Sequence, residues 1–124
     1  PLSGRERQLV NLAIARHWDA RYPWFAQVRG ALAVGLERAI IDAINARQEP
    51  ILGDAREKAC YTVASEMLAT KRLSDATYRN AERVLGLEDL IYAVTMVGQF
   101  TMTCTTANAF EIDPPADAPV PLIA

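Results

Sequence analysis

Apolar residues recur at intervals of three and four along almost the whole chain, in segments separated by short connections. This spacing is typical of amphipathic helices, each of which must bury one face against a neighbour. Short connections between such helices imply an antiparallel helical array. The sequence therefore predicts an all-α fold of about six helices.

Residues that favour helix ends mark the limits of these segments. Ser3 followed by Glu6 is a capping box, and Asp54 with Glu57 is a second acidic start. The predicted helices run from about Gly4 to Trp18, from Pro23 to Gly35, from Glu37 towards Pro50, from Asp54 past Leu68, from Ser74 to Gly86, and from Leu90 to about Phe110.

The last segment allows two interpretations. Its threonine-rich part, Thr101 to Thr106, has the composition of a strand. Its length and the acidic Glu88 and Asp89 at its start favour a helix, since negative charge stabilises a helix N-terminus. Because this helix is unusually apolar for so small a chain, we expect a second subunit to cover part of it, in a homo-oligomer.

Length and composition limit the domain organisation. A chain of 124 residues with 51% hydrophobic and 23% charged residues fits one folded domain. We assign residues 1–112 to a helical domain and residues 113–124 to an extended proline-rich tail.

Charge and cysteine content argue against several classes of function. The net charge of -2 and scattered basic residues give little support for nucleic-acid binding. No apolar run reaches the roughly 20 residues that a membrane helix needs, and Cys60 and Cys104 lack the spacing of a metal site. We therefore expect a cytoplasmic protein without a metal or cofactor, although the start at Pro1 leaves a removed leader open.

The order of several short stretches resembles the carboxymuconolactone decarboxylase family, within the alkylhydroperoxidase D-like superfamily. These stretches cover nearly the whole chain: Arg5–Leu9 (RERQL), His17–Trp24 (HWDARYPW), Ala31–Gly35 (ALAVG), Val63–Leu68 (VASEML), Leu73–Tyr78 (LSDATY) and Val97–Asn108 (VGQFTMTCTTAN). The resemblance implies an alkylhydroperoxidase D-like fold that assembles as trimers or hexamers, with active sites in clefts at subunit contacts.

The residues of the family's redox relay are replaced in this chain. The resemblance places its two cysteines on Ala20 and Pro23, its histidines on Tyr22 and Gln27, and its glutamate on Gln8. Without a thiolate at these positions the known peroxidase relay cannot operate, because the thiolate is the attacking species. Gln27 can orient a carbonyl group or donate a hydrogen bond to an enolate, but it cannot transfer a proton near neutral pH.

Proton transfer would then fall to other residues. His17 is the only histidine, the side chain that titrates nearest neutrality, although a histidine at a helix end also serves as a cap. Glu66, among apolar neighbours, would have a raised pKa if it were buried, or it would pair with an arginine. Arg16 and Arg21 flank the expected pocket and could hold a substrate carboxylate.

Four aromatic residues lie where the resemblance places the pocket: Trp18, Tyr22, Trp24 and Phe25. They could enclose a planar or cyclic substrate, with the Tyr22 hydroxyl group free to form a hydrogen bond. Packing in the core or at a subunit interface explains the same cluster equally well.

Three functions follow from these residues. The first is a cofactor-free lyase or isomerase, resembling carboxymuconolactone decarboxylase, that acts on a small carboxylated cyclic or aromatic-derived substrate. Tyr22 and Gln27 would stabilise enolate charge, and His17 or Glu66 would move the proton. The second is a non-catalytic ligand-binding or assembly protein. The third, a peroxidase, requires an exposed cysteine with a lowered pKa.

Overall fold

The computed structural model describes all 124 residues and contains six helices and no strand. The helices are α1 (Gly4–His17), α2 (Arg21–Ala33), α3 (Arg38–Asn45), α4 (Ala55–Thr70), α5 (Asp75–Leu85) and α6 (Leu87–Ala109). The predicted all-α class and the number of helices are confirmed. None of the six helices combines the length and hydrophobicity that crossing a bilayer requires.

Local capping chemistry starts three of these helices as predicted. The Ser3 hydroxyl oxygen accepts a hydrogen bond from the Glu6 amide at 3.1 Å, and the Ser3 amide donates to the Glu6 carboxylate at 2.9 Å. Asp54 accepts from two amides at the start of α4, and Ser74 accepts from one at the start of α5. These contacts satisfy amide groups that have no partner inside the helix.

Two predicted starts differ from the structure. α2 begins at Arg21, two residues earlier than predicted, so Pro23 occupies its first turn, where an amide hydrogen is not needed. α6 begins at Leu87 and not at Leu90, because Gly86 ends α5 and caps α6 at once. Its φ of +83° is readily adopted only by glycine.

α6 remains helical through its threonine-rich part, which decides the ambiguity in favour of a helix. The hydroxyl groups of Thr105 and Thr106 donate to the Met102 carbonyl oxygen at 3.1 and 2.9 Å. Threonine hydroxyls are thus satisfied by the helix itself, and strand-like composition does not require a partner strand.

The central element is α1, which packs against α2, α3, α4 and α6. Its apolar residues include Leu9, Val10, Leu12 and Ile14, none of which exposes any surface. Four of the other five helices thus pack around α1.

The proline-rich tail has no helix, and it folds back onto the domain. The Trp24 indole nitrogen donates to the Val120 carbonyl oxygen at 2.7 Å, and Val120 belongs to the buried core. The Asn45 side chain donates to the Pro121 carbonyl oxygen at 3.0 Å and accepts from the Ile123 amide at 3.1 Å. Residues 120–123 are therefore fixed against α2 and α3.

Candidate functional site

Three adjoining cavities surround Arg47, in the loop that follows α3. The first, of about 200 Å³, is lined by Arg16, His17, Arg47, Tyr61 and Ser65, with apolar side chains from α1, α3 and α4. We name it the histidine lobe. It lies where the C-terminal end of α1 faces the middle of α4.

The other two cavities, each of about 370 Å³, share residues with the histidine lobe. One extends along α4 to Glu66. The other shares Arg16 and Arg47 and is bounded by Arg21, Leu122 and Ile123. We name the cavity that is bounded by Leu122 and Ile123 the tail lobe, and the three cavities together the arginine cleft.

Two left-handed residues build the centre of the arginine cleft. Asp19 follows the cap of α1 with a φ of +49°, and Arg47 follows the cap of α3 with a φ of +58°. Helices that end in this way usually place glycine at that position, because a side chain there costs about 1–2 kcal/mol. The chain instead carries two charged side chains, which meet at 2.8 Å.

Arg16 is the buried cation of the arginine cleft, with 7% of its surface exposed. Its Nη1 atom donates to Asp19 Oδ1 at 2.9 Å, the same oxygen that Arg47 contacts. Its Nε atom is buried and has no hydrogen-bond partner. Burial, followed by the nearby charge of Arg47, lowers the pKa of Arg16.

This arrangement favours a bound anion. Two guanidinium groups share one carboxylate, so one positive charge has no partner among these residues. A buried N–H group without a partner costs about 1–3 kcal/mol, more when it is charged. A carboxylate that reached Arg16 Nε, an atom that exposes almost no surface, would remove that cost.

The structure brings four of the predicted site residues to the arginine cleft: Arg16, His17, Arg21 and Glu66. His17 is exposed at the end of α1, and its ring meets the Trp18 ring edge-on at 5.4 Å. Arg21 is more exposed than Arg16 and pairs with Asp113 at 2.7 Å. Arg16 and His17 therefore form the closest match to the predicted site.

The predicted aromatic residues do not line the arginine cleft or the two other main cavities. Trp24 is 1% exposed and lies in the core beneath the tail. Phe25 is also buried, with the Tyr22 ring edge-on at 5.6 Å and the Arg29 guanidinium 5.7 Å from its centroid. Trp24 and Phe25 are therefore packing residues, as the second of the two interpretations of the aromatic cluster had it.

Trp18 joins α1 to α6. Its indole nitrogen donates to the Thr101 hydroxyl oxygen at 3.1 Å, and its carbonyl oxygen accepts from the Asn108 amide group at 2.7 Å. The two hydrogen bonds join residues that are 83 and 90 positions apart in sequence. They hold the C-terminal half of α6 against the end of α1.

Gln27 belongs to a polar layer between α1 and α2, away from the arginine cleft. Its side-chain oxygen accepts from the Asn11 amide group at 3.2 Å. Gln8 lies in the same interface, and a Cβ atom at Gly30 would fall 2.7 Å from the Gln8 side-chain nitrogen. Gln8 and Gln27 thus both lie in the contact between these two helices.

Both expectations for Glu66, a raised pKa or an arginine partner, are wrong. Glu66 accepts hydrogen bonds from the Thr77 hydroxyl group and, at 2.5 Å, from the Ser74 amide. These bonds, that of Thr77 first, lower its pKa. The physical reason is that Glu66 faces the N-terminus of α5, where amide groups need an acceptor.

Several residues of the arginine cleft were not predicted, among them Asp19, Arg47, Tyr61 and Ser65. A signal for the first two exists in the sequence. Each stands where an amphipathic helix ends without glycine, so a charged residue takes the left-handed position. Tyr61 and Ser65 follow from the face that α4 presents to α1, which only the folded arrangement reveals.

The two cysteines do not meet the requirement for a peroxidase. Cys60 and Cys104 are both fully buried, and burial raises the pKa of each thiol to about 12. We expect a thiol reagent such as Ellman's reagent to label neither in the native protein and both after denaturation. Rapid native labelling would contradict the structure and restore the peroxidase hypothesis.

No protein-family model matches the chain, and no curated protein is found to be similar to it. The decarboxylase family therefore remains a resemblance in short stretches. No group of three or more histidine, cysteine, aspartate or glutamate side chains is arranged to hold a metal ion.

Proposed function

We propose that the protein is a cofactor-free lyase or isomerase that binds a small carboxylated substrate in the arginine cleft. The unpartnered, buried Nε atom of Arg16 is the observation that supports this most strongly. It lies beside a second arginine and beside the only histidine of the chain. The proposal keeps the reaction class that the resemblance implies and moves the site from the aromatic cluster to the arginine cleft.

The arginines would bind a carboxylate that does not itself react. Arg16 Nε and the Arg47 guanidinium can both donate to its oxygens, and hydrogen bonds between charged groups are about twice as strong as neutral ones. The carbon next to this carboxylate would then face the histidine lobe, where His17, Tyr61 and Ser65 supply polar groups.

In the proposed decarboxylation, the bond to a second carboxyl group breaks and carbon dioxide leaves. The electron pair passes into an adjacent carbonyl group as an enolate, and protonated His17 delivers a proton to the carbon. Burial raises the pKa of Tyr61, so its hydroxyl group keeps its proton and can donate to the enolate oxygen. In an isomerisation His17 would remove a proton and return it.

A second candidate is a protein that binds the carboxylate without converting it. One observation favours it: both oxygens of Glu66 are occupied by α5, which leaves His17 as the one predicted proton carrier that faces the histidine lobe. This candidate predicts that a carboxylate raises the melting temperature and is not consumed.

His17→Gln separates the two candidates. We expect lactone and aromatic-derived carboxylates to raise the melting temperature of the natural protein, and one of them to release carbon dioxide or change its absorbance. The variant should bind equally well and turn over about 10²- to 10⁴-fold more slowly.

The control is Tyr22→Phe, which alters an exposed hydroxyl group outside the arginine cleft and should leave turnover unchanged. Full turnover by His17→Gln would exclude His17 from the reaction. Binding without turnover in the natural protein would establish the second candidate.

We also propose that the chain assembles as a homo-oligomer. Several apolar residues of α6 and its C-terminal extension are exposed: Leu87, Ile91, Tyr92, Met102, Phe110 and Ile112. Exposed apolar surface of this kind is typical of subunit contacts. A monomer mass in light scattering would contradict the assembly.

A further inference from the structure

The tail forms one wall of the tail lobe. Leu122 and Ile123 face the space that Arg16, Arg21 and Arg47 bound from the other side. Leu122 is partly buried against the core, whereas Ile123 is about half exposed. Branched hydrocarbon side chains and guanidinium groups therefore line the same cavity.

Side-chain hydrogen bonds and core packing hold this tail segment in place. Asn45 is 4% exposed, and both polar atoms of its side chain bond to the tail backbone. Val120 has a φ of +48°, a conformation that is rarely adopted by a β-branched residue. Strained residues of this kind persist where surrounding contacts fix them, here the Trp24 hydrogen bond and the core.

The charges of the tail lobe indicate the number of carboxylates that it can take. Asp19 pairs with both Arg16 and Arg47, and Arg21 pairs with Asp113. Among the side chains that line the tail lobe, one positive charge is left over, which matches the single non-reacting carboxylate. The apolar wall opposite provides a surface for the remainder of such a molecule.

We infer that Leu122 and Ile123, positioned by Asn45, make the arginine cleft selective for carboxylates whose hydrocarbon part is branched or cyclic. This rests on the proposed function, because it uses the same arginines. It adds a substrate class, and it assigns specificity to a tail segment that sequence analysis set apart from the domain.

Acetate, isobutyrate and benzoate test the inference, with binding followed by NMR titration. Because each buried CH₂ group contributes roughly fourfold in affinity, the natural protein should prefer benzoate to acetate. Leu122→Ala should reduce the benzoate-to-acetate affinity ratio by roughly five- to tenfold, and acetate binding should stay within about twofold. Leu32→Ala, the same change at an exposed site on α2, is the matched control.

Two further variants keep the test decisive. Ile123→Ala alters a half-exposed side chain and should lower the same ratio if Leu122→Ala folds poorly. Asn45→Ala should also lower it while acetate still binds, which a general loss of structure would not produce.

The outcomes separate the two proposals. Carboxylate binding with an unchanged ratio in Leu122→Ala and Ile123→Ala overturns the selectivity and leaves the proposed function standing. An unchanged ratio in Asn45→Ala overturns the positioning role. If the natural protein binds none of the three carboxylates, both the proposed function and this inference fail.

Discussion

Arg16→Met should reduce carboxylate affinity by roughly 30-fold to 1,000-fold, the loss expected when one partner of a buried, hydrogen-bonded charge pair is removed. The guanidinium group that it removes is the buried one, and its Nε atom is the free donor. The fold should tolerate the change, because the carboxylate that it leaves behind, Asp19, is 58% exposed and keeps its contact with Arg47. Calorimetric titration with benzoate and thermal unfolding measure the two effects.

Two variants control this result. Arg38→Met makes the same change at an exposed arginine that pairs with Asp42 within α3, and should leave carboxylate affinity unchanged. Arg47→Gly gives a left-handed position the residue that adopts it most easily, so affinity should fall with little loss of stability. Benzoate binding of normal strength by Arg16→Met would show that the ligand binds elsewhere.

Glu6→Ala should lower the free energy of unfolding by about 1–2 kcal/mol, because it removes a helix cap and one of the two carboxylate partners of Arg56. Glu6 is 6% exposed and accepts from Arg56 Nε at 3.0 Å and from the Ser3 amide. Arg56 also contacts Asp89 at 2.8 Å, so this cluster joins α1, α4 and α6. Urea unfolding at pH 7 measures the change.

The effect of Glu6→Ala should also depend on pH. Burial alone would raise the pKa of Glu6, but the hydrogen bonds from Arg56 and Ser3 outweigh it and lower the pKa. The stability that Glu6 contributes is therefore present above the ordinary glutamate pKa of about 4.3 and is lost as the pH falls through the lower, folded value. The difference between variant and natural protein should shrink in acid.

Glu82→Ala serves as the control for Glu6→Ala, because Glu82 is exposed on α5. Its unfolding free energy should stay within about 0.5 kcal/mol of the natural protein at either pH. If Glu6→Ala also changed the free energy of unfolding by no more than about 0.5 kcal/mol, the buried cluster would contribute little to stability.

The helices were predictable because their limits depend on residues close in sequence. Ser3 and Glu6 bond to one another across a single turn, and Ser74 bonds to Thr77. Pro23 shows the limit of such reasoning. Its ring is compatible with several positions in a first turn, and the start of α2 consequently moved by two residues.

The site was less predictable because its contacts join distant parts of the chain. Asp19 and Arg47 are 28 residues apart and meet only when α1 and α3 end side by side. Trp24 was predicted to line the pocket, yet its indole nitrogen donates a hydrogen bond to a carbonyl group 96 residues away in the tail, which buries the ring. Glu66 was expected to transfer a proton, but its carboxylate instead accepts a hydrogen bond from the Ser74 amide at the start of α5. Arg16 and Arg21 were both predicted to bind a carboxylate, and both line the arginine cleft, where Arg16 is the buried one.

The different surroundings of the two tryptophans give the protein two built-in optical reporters. Trp24 lies in a dry environment beneath Val120, so its fluorescence should be blue-shifted and should move to longer wavelength when the tail detaches. Trp18 is partly exposed and signals the contact between α1 and α6. A Trp18→Phe chain would therefore emit from Trp24 alone, and stopped-flow mixing with a carboxylate would follow the tail in real time without any added dye.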